Sequence, residues 1–349
     1  MGNGRKTYRK VITSLELTEQ INPENIKLME KFLKNFATKR SPKSVISYRS
    51  NLIIFFTWNL LENDNIFYID VKKYQLVDFF DYCVTELKWG SNRFAQMHST
   101  LSSFSTYIEN IFDDKWPQFR NLLPKIEKPT KETVRKKSVF TKAELDNLMN
   151  WLGEKGRVNE QCLLATMMAS GARVSELGRF TTTMIDENNT AFEGLFLETT
   201  EEMQVKGHGV NGKHIFRYLI KDIFLPYYHK WLPIREKVMK EHGKEHDFIF
   251  ITKNGDPASV STFRGWIEKW DTVLDKHLYA HSIRHWWCTY LLGVGLEKEL
   301  VQDLQKWSSD SLVNLYNDAT AKDRKWKGLD KLKTALETDK VGKETIEQK

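Results

Sequence analysis

The stretch of residues 281–316 constrains the fold of this chain most, because its apolar residues keep a helical period that breaks at one glycine. Ile283 and Trp287 recur at helical spacing ahead of Gly295. A second apolar series follows the glycine and comprises Leu296, Leu300, Leu304 and Trp307. The pattern predicts two helices joined by a tight corner, and the polar run 308–310 supplies N-cap chemistry for a third helix.

Three polar residues stand close together at the start of the first of these helices: His281, Arg284 and His285. Two histidines four residues apart can share a zinc ion, but a zinc hydrolase of that type needs a glutamate directly after the first histidine. Ser282 occupies that position, so the sequence predicts no metal site here. For each of the three polar residues taken alone, an ordinary amphipathic helix stays open as the alternative.

The whole stretch resembles the C-terminal sequence boxes of the tyrosine recombinases, the family of lambda integrase, Cre and the Xer proteins. In that family a His-x-x-Arg pair opens a helix, a His or Trp lies about two dozen residues further on, and a nucleophilic Tyr follows on a later helix. Here Arg284 lies 3 residues after His281, and Trp307 lies 23 residues after Arg284. Tyr316 lies 9 residues after Trp307. The resemblance implies that these four residues are catalytic, with Trp307 as the tryptophan variant, and that His285 supports them.

A second motif, GARVSEL at 171–177, lies between two predicted helices. An apolar helix is predicted to end at Ser170, and another starts at once with Arg173 and Glu176 on its first turn. Taken alone, Arg173 can be explained as a helix-start arginine paired with Glu176. The segment also resembles the first catalytic box of the same family, and this resemblance implies a catalytic Arg173 that Glu176 supports.

Between the two motifs the apolar period changes from helical to strand-like. Three short strands are predicted, at 195–199, 203–206 and 215–220, with a glycine-rich turn between the last two. The family carries a catalytic lysine on such a hairpin, and Lys206 is the candidate, with Lys213 as the alternative. The Gly-Lys-Gly form common in the family would place His208 at the lysine position, and a hairpin lysine can also serve solubility alone.

After this hairpin the sequence predicts a helix over 231–245 and a short strand over 247–251. A further helix is predicted over 260–274 and leads the chain toward His281.

The sequence of the first 120 residues predicts an all-helical bundle. Helix-start signals occur at 22–23 and 41–42, and apolar periodicity predicts two further helices at about 73–87 and 92–111. This layout resembles the core-binding domain of the tyrosine recombinases, whose helices lie across DNA. Cations near the helix starts are candidates for phosphate contact, or else they form a solvated charged face. They are Lys39, Arg40, Lys43, Arg49 and Arg93.

The segment 124–138 predicts a linker, since it holds two prolines, few apolar residues and many lysine and arginine side chains. Lys136 and Lys137 are predicted to contact DNA from it. The predicted division is then a 1–22 N-terminal arm, a 23–123 core-binding domain, the linker, a 139–325 catalytic domain and a 326–349 C-terminal tail. The predicted fold class is mainly α with a small antiparallel β-sheet, in which an α+β tyrosine-recombinase catalytic domain follows the helical domain.

The composition favours a polyanionic partner and a reducing compartment. The 53 Lys+Arg outnumber the 46 Asp+Glu, which gives a net charge of +7 and a pI near 9.0. Three scattered cysteines, Cys83, Cys162 and Cys288, argue against a disulfide framework or a cysteine zinc site. No secretory signal or membrane span is recognised, so a cytoplasmic protein that acts on DNA without a cofactor is predicted.

The resemblance implies a site-specific DNA strand transferase, an integrase or transposase of a mobile element. It would cleave and rejoin DNA through a 3′-phosphotyrosyl intermediate without a metal. The expected partners are double-stranded DNA and a homotetramer on two DNA sites, with accessory DNA-bending proteins as further candidates. Two alternatives stay open: a type IB topoisomerase or telomere resolvase with the same chemistry, and a DNA-binding regulator whose site is inactive.

Overall fold

The computed structural model describes residues 11–130, 139–205 and 212–307, which divide into two units. The first unit holds 11–130 together with 212–213, and the second holds 139–205 and 214–307. The boundary between the two units along the chain lies within 131–138, outside the described residues. The predicted C-terminal tail also lies outside them.

The first unit is built from α-helices, as its apolar periodicity predicts. The helices are α1 Leu15–Gln20, α2 Pro23–Ala37, α3 Pro42–Glu62, α4 Lys73–Thr85 and α5 Ser91–Ile111. Asn22 and Ser41 cap α2 and α3 by accepting hydrogen bonds from the backbone N–H groups of Glu24 and Ser44. A proline fills the first turn of both helices, where its missing N–H has no cost. These local signals explain why α2 and α3 begin where the sequence predicts.

Aromatic side chains fill the core of the first unit. The most deeply buried are Phe55, Phe56, Phe79, Phe80 and Phe104. Phe55 and Phe79 meet edge to face with ring centroids 4.9 Å apart, a favourable arrangement of the two ring quadrupoles. Ile21, from the predicted arm, and Ile126, from the predicted linker, are buried in the same core. The packed unit therefore extends beyond 23–123 on both sides.

The second unit is organised around one helix that is buried over most of its length. Its helices are α6 Lys142–Glu154, α7 Val158–Ser170, α8 Val174–Leu177, α9 Lys221–Glu241, α10 Val260–Trp270, α11 Ala280–Gly293 and α12 Lys298–Leu304. Every residue from Glu160 to Ser170 is buried, so α7 has no solvent face over this stretch. It packs against α6, α9 and α11. The end of α7 therefore lies inside the unit, next to the second sequence motif.

Two helices of this unit differ from their predicted limits. α9 spans Lys221–Glu241, whereas the sequence predicts a helix over 231–245. Pro226 lies inside α9 ahead of the predicted start. Proline removes a backbone donor and normally marks a helix break, so the first turns of α9 are not expected to be helical from the sequence. The helix predicted over 260–274 ends at Trp270, where a 3-10 turn takes over.

The strands form two small sheets, and the predicted fold class is confirmed. The strands are β1 Thr190–Ala191, β2 Phe196–Glu198, β3 Met203–Val205, β4 Lys213–Ile215 and β5 Tyr218–Ile220. β1, β2 and β5 form an antiparallel sheet in that order, with Leu197 opposite Leu219, and β3 pairs with β4 separately.

The single strand predicted over 215–220 is wrong, because the chain changes sheets at Phe216 and Arg217. There the backbone N–H of Arg217 donates to the hydroxyl of Thr199 at 2.9 Å, and the Arg217 carbonyl accepts from the Thr199 N–H at 2.9 Å. The strand predicted over 247–251 forms only isolated bridges. Among the described residues, no helix is both long and apolar enough to cross a membrane.

Gly171 is required at the end of α7 by both conformation and space. Its φ is +58°, and a Cβ there would lie 2.8 Å from Cδ2 of Trp287 and 2.8 Å from Nε2 of Gln305. Gly156 has a similar φ of +66°, but a Cβ there would meet nothing within 4 Å. The two glycines therefore separate backbone strain from steric overlap.

We predict that Gly171→Ala destabilises the second unit more than Gly156→Ala does. The left-handed conformation costs about 1 kcal/mol in both variants, and overpacking adds about 1 to 3 kcal/mol at Gly171 alone. Urea unfolding followed by tryptophan fluorescence would measure both free energies of unfolding. Equal losses in the two variants would contradict the tight packing around Gly171.

Candidate active site

The turn that joins α7 to α8 carries Arg173. Its backbone N–H donates to Oε2 of Glu176 at 2.9 Å, and its Nη1 donates to Oε1 of the same carboxylate at 2.9 Å. The Glu176 side chain is completely buried, whereas 26% of the Arg173 side chain is exposed. The carboxylate thus holds the inner side of a guanidinium whose outer part is accessible.

Glu176 also accepts a charge-assisted hydrogen bond from Nη2 of Arg217. Burial acts to raise the pKa of Glu176, but the charges of Arg217 and Arg173 outweigh it, so this pKa lies below its ordinary value. Glu176 is therefore a carboxylate at neutral pH. On its other side, Nη1 of Arg217 donates to Oε1 of Gln305 at 3.0 Å.

Three consecutive carbonyl groups at the end of α7 accept hydrogen bonds from side chains of α11 and of the turn after α12. The donors are Trp287 Nε1 to Ala169 at 3.1 Å, Gln305 Nε2 to Ser170 at 2.6 Å, and Arg284 Nη1 to Gly171 at 2.6 Å. The last carbonyls of a helix lack intrahelical partners and carry partial negative charge, which favours a nearby cation. These bonds at the end of α7 therefore hold the motif at 171–177 next to the stretch that begins at His281.

Arg284 and Trp307 lie together in the interior of the second unit. The guanidinium carbon of Arg284 is 5.0 Å from the centroid of the Trp307 ring, a cation–π contact. Both side chains are buried. Trp307 thus covers one face of the arginine whose Nη1 binds the end of α7.

His281 lies on the first turn of α11, one turn before Arg284. Its ring centroid is 4.7 Å from that of His285. Its pKa is lowered from the usual 6.5, first by desolvation and then by the positive charges of Arg284 and Arg173. The imidazole is therefore mainly neutral at pH 7 and can either accept or donate a proton.

The family of this chain is given by its sequence match. Residues 138–323 match the model of the phage integrase family, and they make up more than half of the 349 residues. The chain belongs to the phage integrase family. Its predicted enzyme class, tyrosine recombinase, is confirmed by this match and by named relatives.

Relatives and solved structures cover most of the chain. Tyrosine recombinase XerC of Listeria monocytogenes serotype 4b is 25% identical over 72% of this chain and 80% of that protein. Tyrosine recombinase XerC of Bacillus subtilis is 26% identical over 62% of this chain and 67% of that protein. A Tn1549 transposon integrase in complex with transposon right end DNA matches with a TM-score of 0.59 and 15% identity, over 86% of this chain and 98% of that one. A lambda integrase dimer bound to a core site matches with a TM-score of 0.60 and 15% identity, over 88% of this chain and 81% of that one.

Four of the six predicted catalytic residues of this recombinase lie in the described part of the chain. They gather around the end of α7 and are Arg173, His281, Arg284 and Trp307. Lys206 and Tyr316 lie outside the described residues. Lys213, the alternative hairpin lysine, is exposed at the first position of β4. The catalytic roles stay predictions.

Arg217 and Gln305 are the two polar residues at this site that sequence analysis missed. A signal for Arg217 was present, because Ile215, Arg217 and Leu219 alternate and all three are buried. An arginine in register with two core residues requires a buried acceptor, which Glu176 supplies. No comparable pattern marks Gln305, since its partners lie 88 and 135 residues away.

The predicted DNA contacts of the first unit fall into two groups. Lys39, Arg40 and Lys43 are exposed. Arg49 instead forms a two-bond ion pair with a carboxylate, that of Glu30. Arg93 donates to Asn51 at 2.6 Å and to Gln96 at 3.1 Å, with its guanidinium 4.3 Å from the Trp89 ring centroid. Contact with phosphate would therefore compete with existing partners at Arg49 and Arg93. Lys136 and Lys137 lie outside the described residues.

We predict that the pKa of His281 lies below 6.5 and that Arg173→Gln raises it, because the variant removes one nearby positive charge. Since the folded pKa is the lower one, protonation favours the unfolded chain, and stability is lost from this site as the pH falls below 6.5. An NMR titration of histidine-labelled protein would measure the midpoint, with the resonance assigned by its loss in His281→Asn. A midpoint that Arg173→Gln leaves unchanged would contradict the electrostatic coupling.

Proposed function

We propose that this protein is a site-specific DNA recombinase that cleaves and rejoins double-stranded DNA through a 3′-phosphotyrosyl intermediate. The observation that carries the proposal is the gathering of Arg173, His281 and Arg284 around one buried helix end in a chain of the phage integrase family. Solved relatives support a DNA partner, since they are complexes with transposon end DNA and with a core site.

The two arginines suit the binding of a scissile phosphate. Strand transfer places extra negative charge on the nonbridging oxygens, and fixed cations stabilise that charge without having to reorganise. A guanidinium is always charged and presents a planar fork to two oxygens. Arg173 is anchored through Nη1 and through its backbone, and Arg284 is anchored through its own Nη1. Both charges are therefore held in place before the substrate arrives.

The remaining predicted residues supply the nucleophile and the proton. The phenolic oxygen of Tyr316 gives up its proton to neutral His281 or to water and attacks the phosphorus. The bond from phosphorus to the 5′ oxygen breaks, and Lys206 protonates that oxygen so that it leaves as a hydroxyl. Neutral His281 contacts a nonbridging oxygen or assists proton transfer. Trp307 can donate only its indole N–H, so it takes a packing and phosphate-contact role. The 5′ hydroxyl of a second strand reverses the step and restores a phosphodiester, so no metal or nucleotide is consumed.

The assembly that we propose is a homotetramer on two DNA sites, in the service of a mobile element. Strand exchange needs two duplexes, each cut on both strands, and each cut needs its own tyrosine. The segments 23–123 and 139–325 would bind DNA as the core-binding and catalytic domains, joined by the basic linker 124–138. Exposed Lys39, Arg40 and Lys43 would contact phosphates. The transposon integrase among the structural relatives supports the mobile-element role.

We predict that a DNA-linked form of the protein appears with the wild type and disappears with Tyr316→Phe, because the variant lacks the attacking oxygen. The protein would be incubated with labelled duplexes from the flanks of its own gene, quenched in SDS and run on a denaturing gel. The adduct should resist EDTA, since no metal takes part in the proposed step. The matched control is Tyr290→Phe, which removes a phenol from α11 and should leave the adduct unchanged.

The products of the same reaction separate the alternatives. Joining of two different duplexes indicates a recombinase, whereas relaxation of supercoiled DNA without joining indicates a topoisomerase. Specific binding without any adduct would contradict the proposal and favour a DNA-binding regulator.

We predict that the hairpin lysine is Lys206 and that Lys206→Met slows cleavage by about 100-fold or more, the usual effect of losing a general acid. A duplex with sulfur in place of the 5′ bridging oxygen should restore the rate, because a thiolate leaves without being protonated. Lys213→Met should cleave both duplexes as the wild type does. Loss and sulfur rescue in Lys213→Met instead would assign the role to Lys213.

A further inference from the structure

We propose that Arg217 is a positioning residue for strand transfer, acting through Glu176 on Arg173 and through Gln305 on the end of α7. This inference rests on the proposed function, since it concerns the same site. Arg217 is 1% exposed and lies in the chain between β4 and β5. Its side chain links residues that are 41 and 88 positions away in the sequence.

The first link passes through the Glu176 carboxylate. Oε2 accepts from Nη2 of Arg217 and from the backbone N–H of Arg173, while Oε1 accepts from Nη1 of Arg173. Arg217 therefore occupies the oxygen that a bidentate Arg173–Glu176 pair would use. Without Arg217, the carboxylate could turn and draw both arms of the Arg173 fork inward. With it, Arg173 keeps a single side-chain bond to Glu176 and presents its other N–H groups outward.

The second link passes through the Gln305 amide. Its Oε1 accepts from Nη1 of Arg217 at 3.0 Å, and its Nε2 donates to the Ser170 carbonyl at 2.6 Å. Because an amide has one acceptor end and one donor end, the bond from Arg217 fixes which end faces Ser170. The next carbonyl, that of Gly171, holds Arg284. Arg217 thus contacts the carboxylate that holds Arg173 and, through Gln305, the helix end that holds Arg284.

A purely stabilising role explains this arrangement poorly. Removing a guanidinium from water is costly, and a buried ion pair can often be replaced by apolar groups of similar volume without loss of stability. The Nε of Arg217 finds no hydrogen-bond acceptor among the described residues, which adds to that cost. What Arg217 does provide is two donors on one rigid plane, aimed at Glu176 and Gln305 at once. A lysine, with one ammonium on a flexible stem, cannot reproduce that geometry.

The test compares Arg217→Met and Arg217→Lys with the wild type on the duplex that the wild type cleaves. We expect Arg217→Met to slow single-turnover cleavage at saturating DNA by about 100-fold, the effect of misplacing a reacting group by about 1 Å. The Kd for the duplex should stay unchanged. Arg217→Lys keeps a cation beside Glu176 and should give an intermediate rate. It also provides a folded variant if Arg217→Met fails to fold.

The matched control is Arg235→Met. Arg235 is another buried arginine of the same unit, and it donates to the backbone carbonyls of Phe248 at 2.8 Å and His246 at 2.5 Å. Its loss should lower stability without changing the cleavage rate of the folded protein. A duplex with a neutral methylphosphonate at the cleavage site adds a readout that stability alone does not move. On this duplex the loss of cleavage rate in Arg217→Met should be less than about tenfold. A neutral methylphosphonate develops less negative charge in the transition state, so the position of Arg173 matters less.

Wild-type cleavage rates in both Arg217 variants would overturn the positioning role while leaving the proposed recombinase intact. An equal loss in Arg235→Met, or a defect that persists on the methylphosphonate, would reduce Arg217 to a structural residue. Absence of any adduct with the wild type would overturn the proposed function and this inference with it.

Discussion

The unpaired carbonyl groups at the end of α7 are the constraint on which the candidate site depends. A helix must leave its last carbonyls without internal partners, and here that end is buried, where unmade hydrogen bonds are costly. Side chains from α11 and from the turn after α12 satisfy Ala169, Ser170 and Gly171 in succession. The same bonds that remove the cost bring Arg284 beside Arg173. Glycine is the residue that can end the helix there without striking Trp287.

A buried carboxylate organises the positive charge of this region. Glu176 holds Arg173 on one oxygen and Arg217 on the other, and its pKa stays low because these cations outweigh the effect of burial. The pairing lets two guanidinium groups approach one another in a buried setting. The pKa of nearby His281 is lowered first by desolvation and then by the positive charges of Arg284 and Arg173. A neutral imidazole beside fixed cations is suited to proton handling at neutral pH.

The first unit illustrates how far local signals reach. Caps at Asn22 and Ser41 and prolines in the first turn correctly predict where α2 and α3 begin. The same approach misplaces the start of α9, since Pro226, a residue type that normally marks a break, lies between the observed start and the predicted one. It also joined β4 and β5 into one strand, because their apolar alternation continues through the point where the chain changes sheets.

By itself, the sequence determined the family and the candidate residues, because recombinase motifs are short runs with fixed spacing that survive without knowledge of the fold. Arg173, His281, Arg284 and Trp307 could be named on that basis. Only the tertiary structure revealed that Arg217 and Gln305 join them, since these contacts span 41 to 135 residues. It also decided that Arg49 and Arg93 already have partners within their own unit. The physical reason is that helix periods and caps are local, whereas the pairing of a buried charge depends on which distant elements pack around it.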